Sequence, residues 1–488
     1  MPEALSGLIN RQSLPAPETF KPKLRQRESA RTLKQRFDSK ASQESIMKNL
    51  KLTIIGGGSS YTPELFDGII RRIRELPVTE VCLVDVTDGE RKVNIVASLA
   101  KRMIEKAHLD IKVWTTLNRR EGLKDTQFVM SQFRVGGLAA RARDERIPLR
   151  YNTIGQETTG PGGFAKALRT IPVILNICRD IEEIAPDAWL INFTNPAGMV
   201  TEAVIKHTNV KVMGLCNVPI NMHYSIARML GVKPEEASLD FAGLNHMVWV
   251  HKVSVAGEDK TQKVLKLLGD GASLNMNNIT EEPWDKSFLK ALGAVPCPYH
   301  RYFYLKEAML ADELKAAESG GTRAEQVMKT EEELFELYAD PNLNHKPSQL
   351  EKRGGAYYSE VSLDLVDAIW NNRRTINVVN TRNNGAINGL PDDAVVEINA
   401  MVDSDGAHAI SFGTMPTHLN GLLQQVKAYE TLAIDAAVYG DYDKALMAMA
   451  LNPLVPDLAT GKKILDDIIA QNRDYLPQFV NPTQEISD

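Results

Sequence analysis

Leu50-Lys51-Leu52-Thr53-Ile54-Ile55-Gly56-Gly57-Gly58-Ser59-Ser60-Tyr61-Thr62-Pro63 is the stretch on which the fold turns. Leu50–Ile55 reads as a buried strand and the glycines and serines as a tight turn. Residues 62–75 then read as a helix, with Thr62 as its N-cap and Pro63 as its first residue. Residues 81–86 follow as a second strand and 90–107 as a second helix. Further short apolar runs come at 111–114, 128–133, 189–193 and 212–215, with helical patterns between most of them. Short apolar strands alternating with helices imply a parallel sheet covered on both faces. Right-handed crossovers make that an α/β, doubly wound, Rossmann-type sheet.

The pattern changes near residue 238. Residues 239–255 alternate like antiparallel strand. Helical stretches follow near 301–316, 323–338, 355–372 and 417–438, interrupted by strand-like runs at 375–380 and 394–402. The expected organisation is a nucleotide-binding domain over 47–237 and a mixed α+β C-terminal domain over 238–488 that caps it with substrate and metal groups. Residues 1–46 carry nine Lys/Arg against five Asp/Glu and no sustained apolar period, so a loosely ordered N-terminal extension is expected there. Five acids are too many for a transit peptide.

Composition narrows the function classes. The chain has 488 residues, 43% apolar and 24% charged, with a net charge of -5, enough to build a large core and without the basic excess of a nucleic-acid partner. No run reaches the roughly 18 apolar residues of a membrane span. Four scattered cysteines, Cys82, Cys178, Cys216 and Cys297, form no CxxC pair and fit a reducing, cytoplasmic compartment.

Gly56 and Gly58, with Gly57, Ser59 and Ser60 beside them, would let the backbone approach a pyrophosphate at a helix N-terminus. Asp85, at the end of the second strand, could accept hydrogen bonds from an adenosine ribose and so favours NAD over NADP. Tyr61 takes the place of the usual third glycine, and a ligand-free strand–helix turn is the alternative reading. Cys216 and Asn195 each end or follow a strand at the edge where open parallel sheets bind ligands. Cys216 could equally be a small buried hydrophobe. His246 and His251 lie in one strand-like run, five apart, so at most one faces that edge. Thiolate plus imidazole suits zinc, iron or cobalt better than manganese. Glu157 sits in a second Gly-rich loop, Arg141 precedes an acidic pair, Arg323 opens a helix, and Tyr299 belongs to an aromatic cluster. Loop acid, surface charge and core aromatic are the ordinary readings of these four.

As a set, IGGGSSYTPE (55–64), IGQETTGPGGF (154–164), NFTNPAG (192–198), GLCNVPIN (214–221), GLNH (243–246), GTRAEQVM (321–328) and VNTRNNGAINGLPDD (379–393) resemble glycoside hydrolase family 4, the NAD- and metal-dependent glycosidases. The likeness to its 6-phospho-β-glucosidases runs from about Lys51 to the C-terminal helices. It implies that Cys216 and His246 hold a divalent metal, usually manganese. It implies that Tyr299 is the base and Glu157 raises its basicity, and that Arg141, Asn195, Asn217 and Arg323 bind the phosphosugar. Gly56 to Ser60 and Asp85 would serve NAD. Members acting on α-linked sugars carry Asp directly after the Cys. Asn217 cannot act as a general acid at neutral pH, so it points to the β-type site.

The implied reaction departs from two-carboxylate hydrolysis. NAD oxidises carbon 3, the proton on carbon 2 becomes acidic, the aglycone is eliminated, water adds, and the carbon is re-reduced. The substrate would be a phosphorylated disaccharide such as cellobiose 6-phosphate or an aryl 6-phospho-β-glucoside, and the assembly a homo-oligomer, dimer or tetramer. Three alternatives stay open: an NAD-dependent 2-hydroxyacid dehydrogenase, which would accumulate NADH; a 6-phospho-α-glucosidase of the same family; and an NAD-sensing protein without turnover.

Overall fold

The computed structural model describes residues 49–480, apart from 275, 277, 278 and 354–356; the extension expected over 1–46 lies outside the described residues. β1 (Leu50–Ile55) is buried along its whole length, as a central parallel strand must be. Its side chains alternate between two cores: Leu50, Leu52 and Ile54 pack on one face of the sheet and Ile55 on the other. β2 (Val78–Val84), β3 (Lys112–Thr116), β4 (Phe128–Ser131), β5 (Trp189–Asn192) and β6 (Lys211–Gly214) join it in the order β3-β2-β1-β4-β5-β6, every pair parallel. That is the doubly wound order expected from the alternating pattern.

The same sheet continues into the C-terminal half. β7 (Ala237–Leu244), β8 (Met247–Val255), β9 (Glu258–Asp259), β10 (Val295–Pro296), β11 (Thr375–Arg382), β12 (Val395–Asp403) and β13 (Gly406–Ala409) are all antiparallel to their partners. β11 meets β6 at Asn380 and Gly214, and the order runs on through β12, β7, β8 and β10. The helices that position the site are α1 (Thr62–Arg71), α2 (Glu90–Lys106), α3 (Gly137–Leu149), α4 (Gly160–Ile184), α5 (Val218–Leu230) and α6 (Arg323–Ala339).

Three local expectations are corrected. Tyr61, not Thr62, is the N-cap of α1, and Pro63 is its second residue; the Thr62 hydroxyl instead donates to the Gly57 carbonyl at 2.9 Å, tying the helix back to the turn. The helix expected over 301–316 breaks at Leu305 into Arg301–Tyr304 and Lys306–Ser319. The strand-like run 239–255 is a hairpin, and Asn245-His246 is its two-residue turn, with His246 in the left-handed region at φ 62°. His246 is therefore outside the strand periodicity. His251 remains in β8 and packs on Phe412 and Trp249.

Candidate active site

A cleft of about 1280 Å³ opens at the C-terminal ends of the parallel strands. At one end lies the glycine turn. Gly56 N and Gly57 N both donate to the Val84 carbonyl at 2.9 Å, folding the turn across the end of β2. Gly56 is held at φ 83°, which favours glycine. Gly58 has no room for a side chain: a Cβ there would stand 2.7 Å from Asp85 Oδ2 and 2.9 Å from the Val93 nitrogen. Asp85 completes the turn, accepting from Gly58 N and Val86 N at 2.8 Å each. Gly56, Gly58, Ser59 and Asp85 line the cleft. Gly57 and Ser60 do not: Gly57 faces Leu83, and Ser60 gives its carbonyl to the Tyr338 hydroxyl at 2.8 Å. Backbone that close to a helix start, with an acid at the second strand, is the cradle a dinucleotide needs.

The other end gathers residues from many elements of both halves of the chain. Cys216 follows β6 and is 6% exposed; the Val218 nitrogen of α5 donates to its sulfur at 3.4 Å. Burial, then the nearby Glu397 carboxylate, push its thiol well above the ordinary range. The hairpin turn brings in His246, 4% exposed, its ring stacked on Tyr299 with centroids 3.9 Å apart and planes 8° from parallel. Burial, and after it the Lys166 charge, lower the imidazole to about 3, so His246 stands neutral. Its Nδ1 is buried with no hydrogen-bond partner among the described residues. A neutral imidazole with an orphaned nitrogen and a thiol in the same cleft fit a divalent metal. Among the described residues no group of three or more His, Cys, Asp or Glu could hold such an ion. Asn245 braces the pair, donating to Glu397 Oε1 at 3.1 Å and bonding the Cys216 sulfur.

Tyr299 lies in the short turn Pro298–His300 and is 4% exposed. Of the tyrosines nearby in sequence, it alone lines the cleft; Tyr304 packs against Phe288 and Trp284. Asn195 follows β5, and Asn217 caps the start of α5; both line the cleft, as does Arg323 at the first residue of α6.

The fold turns Arg141 inward, to 4% exposure. Its Nη1 lies 3.0 Å from Glu157 Oε1 and its Nε donates to Glu145 at 2.8 Å. Glu157 is also held by Arg134 Nη1 at 2.5 Å and Lys166 Nζ at 3.2 Å. Burial opposes its ionisation, but the three cations keep the carboxyl well below the usual range. Burial and then the Arg134 charge lower the Lys166 ammonium to about 7. Three cations against two carboxylates, Glu157 and Glu145, leave an excess of positive charge near His246, suited to an anion such as a phosphate.

Arg134, Lys166, Lys92 and Glu331 were not singled out in the sequence, yet all line the cleft. Arg134 carried a readable signal: it follows β4 at the strand end where Asn195 and Cys216 follow β5 and β6. Lys166 stands in the apolar first turns of α4, where a lysine has no reason to be buried unless a partner waits.

Residues 51–232 match the model of "Family 4 glycosyl hydrolase" and 241–455 that of the "Family 4 glycosyl hydrolase C-terminal domain". The chain is 54% identical over 438 residues to a Bacillus subtilis (strain 168) protein named "Probable 6-phospho-beta-glucosidase", covering 89% of this chain and 99% of that one. It is 30% identical over 449 residues to a phospho-alpha-glucosidase of Clostridium acetobutylicum, covering 88% and 99%. The crystal structure of the Thermotoga maritima 6-phospho-beta glucosidase with manganese, NAD+ and glucose-6-phosphate superposes with a TM-score of 0.80 at 37% identity, covering 88% of this chain and 99% of that one.

Proposed function

The chain is a member of glycosyl hydrolase family 4, and from that membership we infer that it hydrolyses 6-phospho-β-glucosides to glucose 6-phosphate, with NAD and a divalent metal, manganese, as cofactors. The observation that carries the reading is the convergence in one cleft of a dinucleotide turn, a Cys216–His246 pair and a stacked tyrosine. The β-anomer is favoured over the α by 54% against 30% identity and by Asn217, whose amide cannot protonate a leaving oxygen.

When bound, NAD supplies a reversible two-electron oxidant for carbon 3 and the metal a Lewis acid, so that the aglycone departs by elimination and water adds back. The protein's part is positioning and proton handling. The glycine turn and Asp85 seat the dinucleotide. Cys216 and His246 hold the metal, and Asn245 and Glu397 fix the hairpin turn that presents the imidazole. Tyr299 takes the carbon-2 proton onto its phenolic oxygen; a cation beside a phenol favours the phenolate. Arg141, Arg323 and Asn195 grip the phosphosugar, with Arg134 and Lys166 adding charge and Glu157 tying the cations together. Leaving-group protonation falls to water or to a residue not yet identified. Because each cycle restores the cofactor, a dehydrogenase-like build-up of NADH is absent. The reducing-compartment cysteines support a cytoplasmic location, and the family resemblance a dimer or tetramer. Among the described residues no helix is long and apolar enough to cross a membrane.

The deciding assay is p-nitrophenyl 6-phospho-β-glucoside with NAD, manganese and reductant. Colour release without net NADH is expected, with little or none from the α-linked isomer or the unphosphorylated glucoside. Net NADH formation would favour the dehydrogenase, and binding without turnover the NAD sensor.

A further inference from the structure

The charges lining the cleft are divided unevenly between its two ends. At the sugar end the three cations Arg134, Arg141 and Lys166 all pair with Glu157, and only Arg141 has a second acid, Glu145. At the dinucleotide end each lining cation is matched by an acid. Arg119 and Arg120 both pair with Asp180, Arg120 at 2.5 Å, and Arg120 also reaches Glu183 at 2.8 Å. Lys92, in the first turn of α2, pairs with Glu331 at 2.6 Å. Glu331 comes from α6, 239 residues away. Its other oxygen accepts from the Ser60 hydroxyl at 3.3 Å, and its side chain is only 13% exposed.

Lys92 stands where a dinucleotide's adenosine ribose is read. Its Cβ is 3.2 Å from the position a Gly58 side chain would take, the same position that lies 2.7 Å from Asp85 Oδ2. A lysine there is a ready ligand for a ribose 2′-phosphate. Glu331 occupies that lysine, whose charge also acts on Asp85. We propose that Glu331 is the residue that makes the site reject NADP, by neutralising Lys92 and repelling a 2′-phosphate. This rests on the reading of Gly56–Ser60 and Asp85 as an NAD site and adds a selectivity residue that the strand-end acid does not account for. Glu331 acts by setting the charge around Lys92, not by touching the reacting atoms.

The test is dinucleotide binding by the full chain, measured by calorimetry without substrate. Wild type binds NAD and binds NADP far more weakly. In Glu331→Gln, NADP affinity rises about tenfold, the worth of one hydrogen bond to a charged group, while the Kd for NAD stays within threefold, which also reports that the variant is folded. Glu331→Ser removes the same charge and gives the same shift should the Gln variant misfold. Adding Lys92→Met to either variant cancels the gain. An unchanged NADP/NAD ratio in both variants, or a gain that survives Lys92→Met, overturns the proposal and leaves the NAD site standing. Failure of wild type to bind NAD at all overturns both.

Discussion

Tyr299 is the residue on which the chemistry depends most. Its ring is clamped face to face on His246, so the hydroxyl is aimed by the same side chain that would hold the metal. Removing only the oxygen leaves that stack in place. Tyr299→Phe is therefore expected to lower kcat by about 10²–10⁴-fold, the ordinary contribution of a general base, with NAD affinity unchanged by calorimetry. Near-normal turnover would move the base to another residue. Lys166 makes a second, opposite case. It is 3% exposed, and its ammonium lies at about 7 where an ordinary lysine lies near 10.5. Between those values the unfolded chain holds more protons than the folded one, so stability rises with pH across that window and the penalty is full below about 7. Lys166→Met is expected to stabilise the protein by roughly 2 kcal/mol at pH 6, with the advantage fading toward pH 10. The same change should raise KM for the phosphorylated substrate about tenfold through the loss of one charge-assisted bond. Urea melts at pH 6 and 9.5, beside KM values, check both; an advantage that grows with pH reverses the sign of the burial argument.

At the scale of elements, the glycine turn and α6 set the distance between the two ends of the cleft. α6 carries Arg323 at its first residue and Glu331 eight residues later, a rise of about 12 Å. Its Tyr338 is pinned to the turn through Ser60. The turn has no slack at Gly58, whose neighbours include the backbone nitrogen of Val93. Gly58→Ala should weaken NAD binding by about tenfold or more and cost roughly 1–3 kcal/mol of stability; an unaltered Kd would mean that the backbone there does not approach the pyrophosphate. This part of the site was legible in the sequence for a physical reason. β1 is buried on both faces, so its apolar run is unbroken and the turn after it is marked by three glycines. The hairpin turn was not legible. Asn245-His246 lacks the Asn-Gly or Gly-X signature of a two-residue turn, so His246 read as strand although its role depends on leaving the strand. Arg141 and Glu157 looked like ordinary charges because what buries them is their mutual pairing across a turn, which no local pattern records. Arg134 and Lys166 escaped notice for the same reason.

Across the whole molecule the sheet is the argument for unity. β11, 160 residues beyond β6 in the chain, hydrogen-bonds to it, and residues from Asn49 onward cluster as one unit. One core holds Val129, Phe164 and Leu190 together with Trp249, Ile398 and Tyr429. Glu202, fully buried, takes the Lys206 ammonium of its own helix and the Lys427 ammonium of the far half, each at 2.7 Å, and the Val395 nitrogen at 2.9 Å. Cutting the chain near 237 would leave that carboxylate only Lys206, its more exposed partner, at a cost of about 1–3 kcal/mol, and would expose one face of the shared core. Chains of this length commonly unfold in steps. Here the shared sheet and core predict one calorimetric transition with van't Hoff and calorimetric enthalpies in agreement. NAD at 100 times its Kd adds about 2.7 kcal/mol, which for a unit this large moves the whole transition by about 3 °C. Two resolved transitions, with only the first shifted by NAD, would mean that the nucleotide-binding half keeps its own stability. The cleft would then be a seam between two bodies, and the fixed spacing that α6 imposes would be lost as they move.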